Sequence, residues 1–230
     1  LERRIFARIA LGMAQQLPHL QFSEFKPRYA NYFMETVFMQ RALSVLLVDL
    51  INVIVGGAVG MTILVFYHPY FLLYNALLLA GFSVVFFLMS HGGLKATIDM
   101  SHAKYETLHW LQEISHNLLH FKSTDSHALL MTRTDEFVRS YVETRQTRFG
   151  ILIRQYLGSV GWQAVAHSGL LATAGWLLSM GQLTLGQLVA AEVVVSGLLL
   201  SLDAVVKRMG HIYYFLTGLY ELDFLFSLPK

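Results

Sequence analysis

Residues 50–94 read LINVIVGGAVGMTILVFYHPYFLLYNALLLAGFSVVFFLMSHGGL, 45 positions between Asp49 and Lys95 without one formal charge. A helix needs about 20 apolar residues to cross the hydrocarbon core of a bilayer, so the stretch is long enough for two crossings. The turn between them falls at Tyr67-His68-Pro69-Tyr70. Proline cannot continue a helix, its predecessor is pushed out of the α region, and tyrosines favour a membrane interface. A second uncharged block runs from Gln155 to Ala191, and apolar character continues to Val206 with only Glu192 and Asp203 as acids. That block fits two more crossings. Their turn lies in GQLTLGQLVAA, residues 181–191, where Gly181 suits a helix end, Thr184 and Gln187 have capping-box spacing, and Leu183 and Leu188 have the spacing of a hydrophobic staple.

Composition agrees with this reading. Of 230 residues 55% are hydrophobic and 14% charged, against about one quarter charged in a soluble domain. The expected class is an all-α polytopic membrane protein. Cysteine is absent, which excludes disulfides, thiolate metal sites and a cysteine nucleophile. The net charge of +2 says less than its distribution: six Lys and Arg lie in residues 1–42, eight in 91–154, three in 207–230, and none in the turns near 68 and 182. The positive-inside rule places the three charged segments in the cytoplasm and both turns outside. The chain opens at Leu1-Glu2-Arg3-Arg4 without an initiator methionine, and arginines in its first apolar stretch rule out a signal peptide there. It is expected to be a piece of a longer protein.

The charged middle segment has helical spacing of its own, in Leu108, Leu111, Ile114, Leu118 and Phe121, then in Phe137, Tyr141 and Phe149. Membrane helices are therefore expected to run on into the cytoplasm, reaching on the order of 35 to 40 Å if each arm adds about 25 residues. At the tip, Lys122-Ser123-Thr124-Asp125-Ser126-His127 precedes Ala128-Leu129-Leu130-Met131 and predicts a short transverse helix over 123–132. A smaller hairpin is expected around Gln21-Phe22-Ser23-Glu24-Phe25-Lys26-Pro27. All four prolines (Pro18, Pro27, Pro69, Pro229) sit at or near breaks, which leaves the long helices expected to be uninterrupted.

Short outer turns, long cytoplasmic extensions and two tip helices together resemble the membrane domain of ATP-binding-cassette exporters. Gly181 to Ala191 looks like the segment that opens their sixth membrane helix, and Gly175-Trp176-Leu177-Leu178 and Ser101-His102-Ala103-Lys104-Tyr105-Glu106 are similar to family segments. The resemblance implies the end of a second membrane helix at 1–17, a first coupling region at 19–30, a third helix at 31–67 and a fourth at 70–122. It further implies a second coupling helix at 123–132, a fifth helix at 133–180 and a sixth at 185–226. The first helix would lie upstream, and Leu222 to Pro229 looks like a linker to a nucleotide-binding domain, in the same polypeptide or a partner. ATP and magnesium are expected in that domain and not in this chain, which holds no phosphate loop: Gly92-Gly93-Leu94-Lys95-Ala96-Thr97 has the wrong spacing. Coupling to the domain would fall to Phe22, Phe25, Ser126, His127 and Leu130. A second exporter half, as a homodimer, membrane lipids and a transported substrate are the other implied partners, with a bacterial inner membrane as the location.

Ionisable groups inside a membrane need a partner, a cavity or a task. Glu192, Ser196, Asp203, Lys207 and His211 share a helical stripe on the last helix, and Asp203 and Lys207 have i,i+4 pairing distance. The stripe either lines a translocation path, with Glu192 touching substrate or a coupled cation, or faces a neighbouring helix. Gln155, Ser159, Gln163 and His167 form a matching row; His167 either relays protons or bonds to a neighbour. Asp49 and Asn52 share a face with Gly56 and Gly60, a small-xxx-small pattern for close helix approach, and Asp49 is a further path candidate. Phe82, Phe86 and Phe87 could wall an apolar path or face lipid and neighbouring helices. His109, His116 and His120 have spacing that permits zinc but no supporting carboxylate, and a solvated helix face accounts for them. No catalytic or metal site is expected, and basic residues interleaved with acids do not suit nucleic acid. The expected function is the membrane part of an ATP-driven exporter. The rival is a membrane-embedded interaction or assembly protein that moves nothing. A secondary transporter is disfavoured because no proline breaks the spans.

Overall fold

A computed structural model describes residues 2–16, 33–123 and 127–227. The helices are α1 (Glu2–Gln16), α2 (Phe33–Tyr67), α3 (Tyr70–Ser83) with a π-helical extension at Val84–Leu88, α4 (Gly93–His116), α5 (Leu118–Ser123), α6 (His127–Ser179), α7 (Leu185–Lys207) and α8 (Met209–Ser227). No strand occurs among the described residues, and three stretches are long and apolar enough to cross a membrane: Ala42–Tyr67, Tyr70–His116 and Leu185–Lys207. The fourth expected crossing, within α6, does not reach that measure. Its uncharged part, 155–179, is diluted by Gln155, Ser159, Gln163, His167 and four glycines.

Contacts divide the chain into two units, one of residues 45–91 and 151–210, the other of 1–44, 92–150 and 211–230. The first unit contains both turns at 67–70 and 181–184. Pro69 is the N-cap residue of α3, and the amide of Tyr70 donates to His68 Nδ1 at 3.3 Å. After α6, Gly181 takes φ of +69°, a conformation open to glycine at little cost. The Gln182 amide donates to Leu177 O and the Gly181 amide to Leu178 O, both at 3.0 Å, which completes a Schellman stop. Thr184 then starts α7 with a full capping box: its hydroxyl accepts from the Gln187 amide at 3.2 Å and its own amide donates to Gln187 Oε1 at 2.9 Å. The core of this unit takes Leu64 from α2, Phe71, Tyr74 and Leu78 from α3, Ala166, Leu170 and Leu177 from α6, and Val195, Leu198 and Leu202 from α7; the staple residue Leu183 is buried in it and Leu188 packs against it.

The outer faces of these helices are as apolar as the inner ones. Ile51, Ile54, Val55 and Phe66 on α2, Leu72 and Leu73 on α3, Leu157, Val165 and Leu171 on α6, and Val189, Val193 and Leu200 on α7 are all exposed. A water-soluble protein does not carry an apolar belt of this extent, whereas in lipid the belt costs nothing.

Glycine spacing on α2 has a narrower role than expected. Only Gly60 approaches another helix, where a side chain would meet Leu198 at 3.0 Å and Val194 at 3.3 Å on α7; Gly56 faces open space and Asn52 is exposed. The inward face is Asp49, Val53, Gly57, Gly60 and Leu64, so the face through Asn52 and Gly56 points away from the core.

Two of the long helices are interrupted, against the expectation from proline positions. The helix expected over 70–122 passes from α3 into the π-helical turn 84–88, turns over 89–92 and restarts at Gly93, with Gly92 at φ of +83°. The helix expected over 185–226 breaks at Arg208 into α7 and α8. Glycine, not proline, marks the first break, since a Gly-Gly pair can adopt backbone angles that α-helix excludes. Asn117 also separates α4 from the short α5.

In the other unit α4 pairs with the first part of α6. Trp110 Nε1 donates to Thr134 Oγ1 at 3.0 Å and its ring lies 5.9 Å from that of Phe137. Arg148 donates to the buried Thr97 hydroxyl at 3.1 Å and lies over the ring of Tyr214 on α8. The buried face of α4 is Ala96, Thr97, Met100, Ser101, Ala103 and Tyr105; of the two expected stripes, Ile114, Phe121, Phe137 and Tyr141 are half-buried while Leu108, Leu111, Leu118 and Phe149 are exposed. Of the expected transverse helix over 123–132, residues 124–126 lie outside the described residues; Ser123 ends α5 and 127–132 are the first residues of α6. The expected first coupling region, 19–30, lies outside the described residues.

Candidate functional site: two polar clusters on α6 and α7

The Schellman stop and capping box return the chain on itself, so polar rows on α6 and α7 meet in reverse order. Far from that turn, Asp203 on α7 is buried and accepts from three donors. Gln163 Nε2 reaches its Oδ1 at 3.0 Å, Ser159 Oγ reaches the same oxygen at 3.2 Å, and Lys207 Nζ reaches Oδ2 at 2.6 Å. Gln163 also donates to Ser159 Oγ at 3.3 Å. Gln155 is buried on the same α6 face. Both carboxylate oxygens of Asp203 are therefore satisfied, the condition under which a charge is tolerated in an apolar interior.

Closer to the turn, Glu192 faces His167. Its Oε1 lies 3.1 Å from His167 Nδ1, and the two side chains are 34% and 35% exposed. The second oxygen, Oε2, is buried and has no hydrogen-bond partner among the described residues. Glu192 is eight residues past the cap Thr184, about 12 Å along the helix, and Asp203 is a further 11 residues on, about 16 Å. Of the six charged residues in this unit, Asp49, Arg154, Asp203, Lys207 and Arg208 lie toward the helix ends remote from the outer turns; Glu192 alone lies within the apolar stretch. Ser196, between the two acids in sequence, is half-buried and joins neither cluster.

The stripe expected along the sixth helix therefore holds in part. Asp203 and Lys207 pair as their spacing implies, while the break at Arg208 ends α7 before His211, which is exposed. Asp49 belongs to neither cluster: it forms an ion pair with Arg208 at the end of α7. Of the expected coupling residues, Phe22, Phe25 and Ser126 lie outside the described residues; His127 is the exposed first residue of α6 and Leu130 is half-buried two residues before Thr132. His109 pairs with Glu113 at 3.4 Å, and no group of three metal-ligating side chains occurs among the described residues.

Two arginines were not singled out by sequence. Arg154 donates from Nη2 to Met89 O at 2.9 Å and His91 O at 3.0 Å, and from Nε to Met89 O at 3.3 Å. It satisfies carbonyls that the helix break at 89–92 leaves without α-helical partners. Arg208, at the second break, pairs instead with the Asp49 carboxylate of α2. Their only sequence signal is position, each at the margin of a long uncharged block.

Between α3 and α6 lies a groove of about 590 Å³ walled by Leu73, Tyr74, Leu77, Trp162, Val165 and Trp176. Tyr74 in its wall donates to Ala166 O at 3.1 Å, one residue from His167. Phe82 and Phe86 are half-buried and Phe87 is exposed; the rings of Phe82 and Phe86 lie 5.8 Å apart and those of Phe86 and Phe87 5.1 Å apart. No protein-family model and no curated protein matches the chain.

Proposed function

We propose that this chain is the membrane-spanning part of an ATP-driven exporter of the ATP-binding-cassette type, working with a second copy of itself and a nucleotide-binding domain in a bacterial inner membrane. The observation that carries the reading is α6: one helix of 53 residues, more than twice what a bilayer requires, charged and exposed on one side from 127 to 154 and without a formal charge from 155 to 179. Its polar row at Ser159, Gln163 and His167 is turned to α7 and bonded there, which makes the helix compatible with lipid despite its modest hydropathy. Three neighbouring stretches have the length and apolar character for further crossings.

In this reading ATP-driven closure of the nucleotide-binding domains moves the tip around residues 118–131, where Leu119, Leu129 and Met131 are exposed apolar side chains available for docking. α6 carries the displacement toward Glu192 and His167, and two packings of the helices alternate access to the path. The broken fourth and sixth helices belong to the same picture, as joints at which such packings can differ.

Deleting residues 123–131 from the intact protein in its own membrane is expected to leave ATP hydrolysis running while transport stops. Full coupling after the deletion overturns the assignment. Loss of a bound partner without any transport or ATPase phenotype would favour the rival role of membrane-embedded assembly protein.

A further inference from the structure

The break at 89–92 has no sufficient cause in its own sequence. No proline lies between Tyr70 and His116, and two adjacent glycines weaken a helix without forbidding it. What holds the break comes from α6. In a continuous α-helix the amides of Gly93, Leu94 and Lys95 donate to the carbonyls of Met89, Ser90 and His91, four residues back. Arg154 takes two of those three carbonyls: Nη2 donates to Met89 O at 2.9 Å and to His91 O at 3.0 Å, and Nε to Met89 O at 3.3 Å. α4 accordingly takes up helical bonding at the Ala96 amide, which donates to Gly92 O at 2.9 Å, with Gly92 at φ of +83°. The amides of Gly93, Leu94 and Lys95 lie before that first bond, as at any helix start.

A second contact lies one turn further along α6. Gly158 faces Met89, and a Cβ there would stand 2.1 Å from Met89 Sδ, so the methionine fills space that only a glycine leaves. Arg154 and Gly158, four residues apart on one face, thus receive the backbone and the side chain of the same residue. Immediately before the break, Val84–Leu88 is π-helical, a form that is rare and occurs mostly as single turns at functional sites.

We propose that residues 84–95 form a two-state joint: a broken form latched by Arg154, and a continuous helix in which the Met89 and His91 carbonyls return to the amides of Gly93 and Lys95. Arg154 is the positioning residue of the broken form. The switch strands neither carbonyl, because each bond that the guanidinium gives up is taken over by a backbone amide. Glycine at 92 tolerates both backbone conformations. The Arg154 side chain is exposed, so its release disturbs no buried packing. The latch is independent of the transport reading, which enters only where the joint serves to separate two packings.

The test is hydrogen–deuterium exchange at the amides of Gly93, Leu94 and Lys95 in the purified full-length protein in lipid nanodiscs. Loss of an ordinary stabilising contact speeds exchange, whereas release of the latch closes the helix and slows it, so the direction of the change decides. Arg154→Met keeps an unbranched side chain without donors and is expected to slow exchange at these amides about ten-fold or more, with Arg154→Lys, which lacks the fork, between it and wild type. Unchanged or faster exchange in Arg154→Met overturns the latch. If that variant does not fold, Gly92→Ala replaces it: alanine disfavours φ of +83° and favours helix, so the same slowing is expected with Arg154 untouched, and unchanged or faster exchange again overturns the latch. Slowed exchange in a variant that transports at the wild-type rate keeps the latch and removes the joint from the transport cycle.

Discussion

Asp203 and Glu192 sit on one helix, in one unit, opposite one partner helix, yet their surroundings differ. Asp203 takes hydrogen bonds from Ser159, Gln163 and Lys207 and is buried; Glu192 takes one contact from His167 and leaves an oxygen without a donor. A carboxylate with both oxygens engaged fixes helix register, and its loss leaves donors unpaired. A half-engaged carboxylate contributes little to the fold and remains available for a ligand. The contrast separates an anchoring role from a binding role without appeal to anything outside the α6–α7 pair.

The largest effect is expected at the anchor. Asp203→Leu should cost on the order of 3 kcal/mol in unfolding free energy, because two charge-assisted bonds, from buried Ser159 and half-buried Gln163, go unmade. Chemical denaturation in detergent measures it. A loss as small as that of Glu192→Gln would erase the distinction.

Next comes a wedge between the two acids. Gly60 of α2 touches α7 at Val194 and Leu198, between Glu192 and Asp203. Gly60→Val should destabilise by about 2 kcal/mol through overpacking, and its melting curve should shift whether or not Asp203 is intact. A gain in stability would show that α2 and α7 are not in contact in the membrane.

Thr184→Ala removes the cap at the Glu192 end of α7 and should cost about 1 kcal/mol. Hydrogen exchange is the informative readout: amides at 185–188 should lose protection, while those around 203 keep theirs. Uniform loss along α7 would mean that the two acids share one cooperative unit and cannot be separated by local stability.

The smallest effect on the fold is the sharpest for function. Glu192→Gln should change unfolding free energy by less than about 0.5 kcal/mol, since the amide can still meet His167 and no longer buries an unpaired charge. Transport should nevertheless fall. Wild-type transport in a stable variant would remove Glu192 from the path.

Much of this arrangement is legible in the sequence. The outer turns at 67–70 and 181–184, the capping box at Thr184, the α2 and α7 spans and the Asp203–Lys207 pair follow from charge-free length, proline, and i,i+3 or i,i+4 spacing, all local quantities. The breaks at 89–92 and 208 were less legible. Proline is the usual breaker and none falls at either position; the signal of the first break is the Gly92-Gly93 pair, which as a phosphate loop has the wrong spacing.

Glu192 and His167 stood out one by one, as did Asp203 and Gln163, but nothing in the one-dimensional pattern joins them. What the sequence by itself determined is where the chain is apolar, where it turns and which side chains share a helical face, because these depend on neighbours a few residues away. Which acid is satisfied and which is not was decided by tertiary structure alone. The two α6 donors for Asp203 come from 40 and 44 residues upstream, and Glu192 meets its one partner 25 residues back, only because the turn at 181–184 sets the register of α6 against α7.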